Sequence, residues 1–193
     1  MLDNLKLYKI KLASNSPRRK ELLAGLDVDF ETQVIPGLEE FYPETLPVSD
    51  VALYLAKQKA DAYRNTIAAD TLLITADTVV CTEGRLLGKP STQEEAKEML
   101  RSLSGKEHEV ITGVCILTST KECAFDVSTH VTFATLDEAE IDYYVSKYQP
   151  LDKAGSYGIQ EWIGYIGITQ ITGSYFNVMG LPVQRLYQEL KQL

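Results

Sequence analysis

The sequence is poor in the residues that build disulfide frameworks, zinc sites and nucleic-acid surfaces. It holds three cysteines, two histidines and one tryptophan in 193 residues. Cys81, Cys115 and Cys123 form no C-x-x-C pair and are odd in number, which excludes a disulfide-stapled scaffold. Cys81 and Cys115 fall in apolar runs and read as small buried hydrophobes, in keeping with a reducing cytosol. His108 and His130 lie too far apart in sequence to suggest a zinc site. Positive charge is also short: 19 Lys+Arg stand against 27 Asp+Glu, a net charge of −8. Nucleic-acid affinity rests on cations that neutralise phosphates, so no nucleic-acid partner is expected, and an anionic membrane surface is equally ill-matched. A small anion held by a few local cations is not excluded by that argument.

Long apolar runs are missing as well, so no membrane-crossing helix is expected. The start MLDNLKLYKIKLAS alternates charges and is no secretory signal. Arg18-Arg19 is followed by KELLAGLDVD, too charged for a twin-arginine signal, and a cytoplasmic protein is expected. No G-x-S-x-G elbow occurs, which argues against a serine hydrolase. Gly84-x-x-x-Gly88-Lys89 has the wrong spacing for a phosphate-binding P-loop and carries Pro90 where Ser or Thr is needed, and Ser104-Gly105-Lys106 fails the same test.

What is present is an ordinary globular composition, 45% hydrophobic and 24% charged, with length for one domain over 1–193 and a sizeable core. Ile10 and Leu12 alternate with lysines, predicting a strand over 8–13. Ser16-Pro17 reads as an N-cap and first helical position, opening a helix to about Leu26. A strand is expected over 28–34, and a Pro/Gly-rich loop over 36–47. Residues 48–64 form an amphipathic helix, with Val51, Leu55 and Ala62 on one line. The most apolar run, 72–81, predicts a buried strand ending in a hairpin at Glu83-Gly84. Residues 91–103 make a helix with a capping-box pattern at Thr92 and Glu95. Strands are expected over 110–117, 123–133 and 165–172, and helices over 137–148 and 182–193. Strands alternating with helices, plus hairpins, predict an α/β fold with a mixed sheet.

Five places could carry chemistry. Ser14-Asn15-Ser16-Pro17-Arg18-Arg19 sets two arginines in the first turn of a helix, where cations oppose the helix dipole. Phosphate binding would account for them, because the guanidinium fork matches phosphate oxygens; a solvated turn is the alternative. Glu39-Glu40 could offer hard oxygen ligands to a divalent cation, or be a solvated acidic loop. Asp77 interrupts an apolar strand and must be ion-paired, metal-bound or at the strand's end, since an unpaired buried carboxylate is very costly. Lys59 shares the inward line of its helix, either as a rim residue or reaching into a cleft. Lys89, fixed in an extended backbone by Pro90, is the fifth. Cations and carboxylates at strand ends and loops are what metal-assisted phosphate chemistry requires.

Eight segments in order, LASNSPRRKELL, GLEE, LAKQKA, ADTVV, LGKP, SGKEHEVITGV, LDKAGSYGIQ and GSYFNVMGLP, resemble the Maf-like nucleoside triphosphate pyrophosphatases, over nearly the whole chain. The resemblance implies an elongated two-lobed α/β body with a central mixed sheet and a cleft between the lobes, as in the related ITPase fold, often dimeric. It implies hydrolysis of a nucleoside triphosphate to the monophosphate and pyrophosphate with a divalent cation (Mg²⁺, Mn²⁺ or Co²⁺), a house-cleaning role in the nucleotide pool. By motif, Ser14, Arg18, Arg19, Lys59 and Lys89 would face the phosphates. Glu40, in preference to Glu39, and Asp77 would hold metal and water, with Asp77 as proton acceptor. Arg18, Thr78 and Gln160 fall where the dTTP/UTP branch differs from a sister branch acting on 7-methyl-GTP, so dTTP, UTP and modified pyrimidine relatives are the implied substrates. After Gln160 the family usually has glycine, whereas this chain has Glu161-Trp162. A nucleotide-binding regulator of septum formation without catalysis is the competing function, since it would carry the same charges.

Overall fold

The computed structural model describes residues 2–193. In chain order the elements are β1 (Lys9–Leu12), α1 (Pro17–Ala24), β2 (Glu31–Thr32), α2 (Val48–Asp61), β3 (Thr71–Thr82), β4 (Arg85–Leu87), α3 (Gln93–Leu103), β5 (Glu107–Leu117), β6 (Glu122–Phe133), α4 (Glu138–Tyr148), α5 (Trp162–Gly167), β7 (Ile168–Thr172), α6 (Tyr175–Met179) and α7 (Val183–Leu190). The fold is mixed α/β, as expected: helices flank a central sheet ordered β2-β1-β3-β5-β6-β7, with β4 paired to β3. The sheet is mixed because β1 runs parallel to β2 and β3, whereas β4 and β7 pair antiparallel with β3 and β6. The chain forms two compact units. One runs through to Asp77 and includes Thr112–Val127 and Gly180–Leu193; the other comprises Thr78–Ile111 and Ser128–Met179.

In the first unit the apolar strand residues set the core. Ala13, Leu73, Cys115 and Leu117 are buried and form one cluster with Ala60 of α2, a helix that also buries Val51, Ala52, Leu55 and Ala56. Leu12, Leu72, Ile74 and Ile116 are buried on the opposite side of their strands. The expected line through Ala62 is corrected: the helix ends at Asp61 and Ala62 is exposed. Thr75 is buried in β3 and donates its hydroxyl to the Ala56 carbonyl at 2.6 Å, so its polarity is satisfied by the helix it faces. Gly113 lies in β5 against α2; a Cβ there would stand 2.4 Å from the carbonyl carbon and oxygen of Ala52 and from Leu53 Cα. Glycine is required because backbone, which cannot swing aside, occupies that space. Cys115 joins the core beside Tyr63 and Leu73, and burial pushes its thiol up to about 12. Cys81 is only half-buried.

Ser16 caps α1 as expected, its hydroxyl accepting the Arg19 N–H with Pro17 opening the helix. The strand over 28–34 shrinks to Glu31–Thr32, both exposed. It lies at the sheet's edge, pairs with β1 over two residues (Lys11↔Glu31, Leu12↔Thr32), and leaves Val34 exposed; alternation alone did not reveal that only one side of the segment finds a partner.

In the second unit, β3 turns into β4 through Glu83 (φ 51°) and Gly84 (φ 75°). Two positive φ angles in a two-residue loop are the hairpin geometry that follows the strand twist. Thr92 accepts the Glu95 N–H, but the Glu95 carboxylate reaches back to the Ser91 N–H rather than to Thr92. The expected strand over 165–172 loses its first half to α5, where Ile163 and Gly167 are buried at helical spacing. His108, Phe133 and Tyr157 form an aromatic cluster with ring centroids 5.1–5.4 Å apart, and His108 Nε2 shares a 2.6 Å hydrogen bond with the Tyr157 hydroxyl. Its Nδ1 is buried without a partner, and burial brings the imidazole down to about 4.

Two outcomes follow from this packing. Gly113→Ala is expected to cost about 1–3 kcal/mol through overpacking against α2, read as a lowered midpoint in urea or thermal unfolding. For His108 the folded state resists the proton that the unfolded chain accepts near pH 6.5. Stability is therefore complete above that pH and is lost as pH falls toward 4, by up to about 3 kcal/mol. His108→Phe should flatten this window in denaturant titrations at pH 7, 5.5 and 4; an unchanged slope would refute the assignment.

Candidate active site

Strand register brings the first group together. Successive side chains on a strand alternate faces, so Thr75 and Asp77 share one. Thr75 bonds the α2 backbone at Ala56, and three residues on, Lys59 meets Asp77: its Nζ donates to Oδ1 at 2.5 Å. The same ammonium lies 3.1 Å from Glu40 Oε1. Lys59 and Asp77 are 12% and 14% exposed and Glu40 43%, so the charges line an inner wall with one more open carboxylate. Asp77 is thus ion-paired, and Lys59 reaches inward instead of covering the rim. Of the two loop carboxylates, Glu40 is the one placed on Lys59.

The Glu40 loop has little secondary structure of its own, and a side chain fixes it. Gln58, beside Lys59 on α2, accepts the Phe41 N–H (3.3 Å) and donates its amide to the Phe41 carbonyl (3.0 Å). Neighbours on α2 thereby hold neighbours on the loop. Sequence reasoning missed Gln58, although it lies inside the LAKQKA segment.

Ser14 and Arg19 form the second group. Ser14 lies two residues past the carboxyl end of β1, a position where α/β proteins place ligands. Asp77 lies within β3, three residues past Ile74, the β3 partner of Leu12, and so beyond the stretch in which β3 pairs with β1. Ser14 is buried and its Oγ accepts the Ser16 N–H at 3.2 Å, with Arg19 Nη1 at 3.5 Å. Arg19 Nε donates to the Gly180 carbonyl at 2.8 Å. Gly180 has φ 114°, a conformation open to glycine, and it too was missed within GSYFNVMGLP. Burial disfavours the Arg19 charge; Asp77 and Glu40 support it and Arg18 opposes it, so these groups share one electrostatic neighbourhood. Arg18 is half-buried in the first turn of α1.

Thr78, Lys89 and Gln160 belong to the second unit. Thr78 follows Asp77 in β3 and is half-buried, and Lys89 is exposed after β4. Gln160 is half-buried, with its Oε1 enclosed and lacking a hydrogen-bond partner. An enclosed acceptor with no donor is costly.

The first unit can do three things chemically. It can meet an anion with Arg18 and Arg19, orient a carboxylate with Lys59, and present Glu40 and Asp77 oxygens to one cation position. Among the described residues no three His, Cys, Asp or Glu side chains gather as a metal cluster. The donor set fits a hard cation that takes one or two carboxylates and completes its shell from phosphate and water.

The chain is similar to known proteins along almost its whole length. The family profile described as Maf-like protein matches residues 9–193. Over 193 residues the chain is 60% identical to the dTTP/UTP pyrophosphatase of Phocaeicola vulgatus and 55% identical to that of Bacteroides thetaiotaomicron, covering 100% of each chain in both cases. The dTTP/UTP pyrophosphatase of Flavobacterium johnsoniae is 44% identical over 191 residues, covering 99% of this chain and 98% of that one. Among solved structures, the Ham1 protein of Staphylococcus aureus aligns with a TM-score of 0.51 at 17% identity, over 94% of this chain and 99% of that one, a likeness of fold alone. With its profile matched from Lys9 to the last residue and relatives at 60% identity along its full length, the chain belongs to the Maf-like family.

Proposed function

We propose that the protein hydrolyses dTTP and UTP to the nucleoside monophosphate and pyrophosphate, in the cytoplasm and with a divalent cation. A homodimer is the state the family resemblance suggests. The observation that carries the reading is the Lys59 ammonium held between the Glu40 and Asp77 carboxylates, in a chain 60% identical to a dTTP/UTP pyrophosphatase. One positive and two negative charges leave that trio at −1, which repels a polyphosphate. A bound divalent cation reverses the sign. Mg²⁺, Mn²⁺ or Co²⁺ held by Glu40 and Asp77 would neutralise phosphate charge and acidify a water.

The chain's own residues supply the rest. Arg18 and Arg19 meet phosphate oxygens in forked geometry, with Ser14 contributing its hydroxyl and Lys89 a further cation. Arg19 keeps its orientation through Gly180. Lys59 engages Asp77 Oδ1, which leaves Oδ2 to accept the proton of the attacking water. Water attacks the α-phosphorus and the bond to the β-phosphate oxygen breaks, releasing pyrophosphate. Positioning and charge neutralisation account for most of such a transfer. Arg18, Thr78 and Gln160 are assigned to substrate choice. Turned toward the base, the Gln160 side-chain carbonyl would accept the imide N–H that uracil and thymine carry and cytosine lacks.

Asp77→Asn is expected to lower pyrophosphate release from UTP by about 10²–10⁴-fold, assayed on protein shown to be folded by circular dichroism because the variant leaves Lys59 with Glu40 as its ionic partner; full activity would overturn Asp77 as base. Chelation with EDTA should abolish pyrophosphate release, and excess Mg²⁺, Mn²⁺ or Co²⁺ should restore it. UTP binding without any pyrophosphate release, under all three metals, would instead favour the non-catalytic regulator.

A further inference from the structure

In the second unit, a buried polar network outside the charge trio surrounds the chain segment that carries Gln160. Tyr144, on α4, is fully buried. Its hydroxyl accepts the Gly158 N–H at 3.0 Å and donates to Glu161 Oε2. Lys153 is buried and lies 3.2 Å from Glu161 Oε1 and 2.7 Å from Asp152 Oδ1. Each Glu161 oxygen thus has its own partner, and an ion pair with one buried and one half-buried member is held in place by such bonds. Burial, and then the bond to Glu161, keep the tyrosine hydroxyl above its ordinary range, so it remains a neutral donor.

The network grips the segment 157–160 at its middle and its end. Gly158 is fastened by Tyr144; the Glu161 N–H donates back to the Gly158 carbonyl at 2.9 Å. A Cβ on Gly158 would stand 2.8 Å from Glu161 Cδ, so carboxylate and backbone are in direct contact. Glu161 is the N-cap of α5, and Gly164 within that helix comes so near Ile159 that a Cβ would stand 1.8 Å from its carbonyl oxygen. Neighbouring residues of α4 hold neighbouring residues at the start of α5: Tyr144 holds Glu161, and Tyr143 packs edge-on against Trp162 at 4.8 Å. Upstream, Ser156 is buried with φ 63°, uncommon for a non-glycine residue, and its hydroxyl donates to Met99 Sδ at 3.0 Å. A non-glycine residue stays in that conformation only when its surroundings over-determine it.

We propose that Tyr144 and Glu161, locked by Lys153, are positioning residues that set the backbone of 157–160 and through it the base that Gln160 accepts. The proposal rests on the reading of Gln160 as the base-facing residue. Gln160 immediately precedes Glu161, so a shift of the carboxylate moves the amide directly. Displacements on the order of 1 Å at a recognition group are enough to erode selectivity. Tyr144 and Glu161 touch no substrate in this scheme; they act through Gly158 and Gln160.

Tyr144→Phe is the cleanest test, because it removes one oxygen and keeps the ring stacked on Tyr148. Amide hydrogen exchange at Gly158 should quicken about tenfold, the equivalent of one lost hydrogen bond. The ratio of kcat/KM for UTP over CTP should fall about tenfold, mainly through KM for UTP. Glu161→Ala should shift the ratio similarly, and the double variant should add little beyond either alone, since the two act as one unit. If Glu161→Ala fails to fold, the Tyr144→Phe measurements decide alone. Unchanged Gly158 exchange, or faster exchange with an unchanged UTP/CTP ratio, would overturn the proposal while wild-type hydrolysis of UTP keeps the functional reading intact. Wild-type protein that releases no pyrophosphate from UTP or dTTP would overturn both.

Discussion

The protein depends on a lysine that compensates an awkward carboxylate. Asp77 interrupts an otherwise apolar strand, and without a partner its burial would cost several kcal/mol. Lys59 supplies the partner from α2 at 2.5 Å. The same ammonium draws in Glu40 from an irregular loop, so one positive charge stabilises a buried strand and assembles the acidic pair that the proposed chemistry needs. Charge repulsion between Glu40 and Asp77 would otherwise push the loop away. Gln58 adds a neutral, directional tie at the adjacent residue, which salt cannot screen as it screens an ion pair.

Much of this was legible in the residues. Asp77 stood out because a charge within an apolar strand demands an explanation, and Lys59 because it lay on the inward line of its helix. Their direct pairing was not legible, since it depends on how β3 and α2 are aligned. Thr75 sets that alignment through the Ala56 carbonyl, a contact with no local sequence signal. The two-residue hairpin at Glu83-Gly84 and the Ser16-Pro17 helix start could be read because turn and cap chemistry are local. The strand over 28–34 and the first half of 165–172 failed for opposite reasons. The former had the pattern but only a two-residue edge partner; the latter was apolar without alternation, so period could not separate strand from helix. Gly180 and Gln58 act through backbone carbonyls and amides that composition does not expose.

The two units rely on different electrostatic devices. The trio in the first unit is partly open to water and carries a net charge, which suits binding of ions. In the second unit Lys153 also lies between two carboxylates, Asp152 and Glu161, but both Glu161 oxygens are engaged by protein groups, which suits the holding of shape. Tyr144 connects Glu161 to the backbone of Gly158, so an electrostatic arrangement becomes a geometric one.

The absent side chain at Gly113 has a consequence for how this protein can change over evolutionary time. Helix α2 rests on β5 at that glycine, with no space for a methyl group, and six residues further along the helix Lys59 spans to Asp77. The helix is therefore both a wall of the core and the arm that carries the charge. Substitutions that would thicken the core under α2 also lengthen the reach demanded of Lys59. A substitution that pushes α2 away from β5 therefore acts on the charge spacing as well as on stability, so the two cannot be changed independently at this interface.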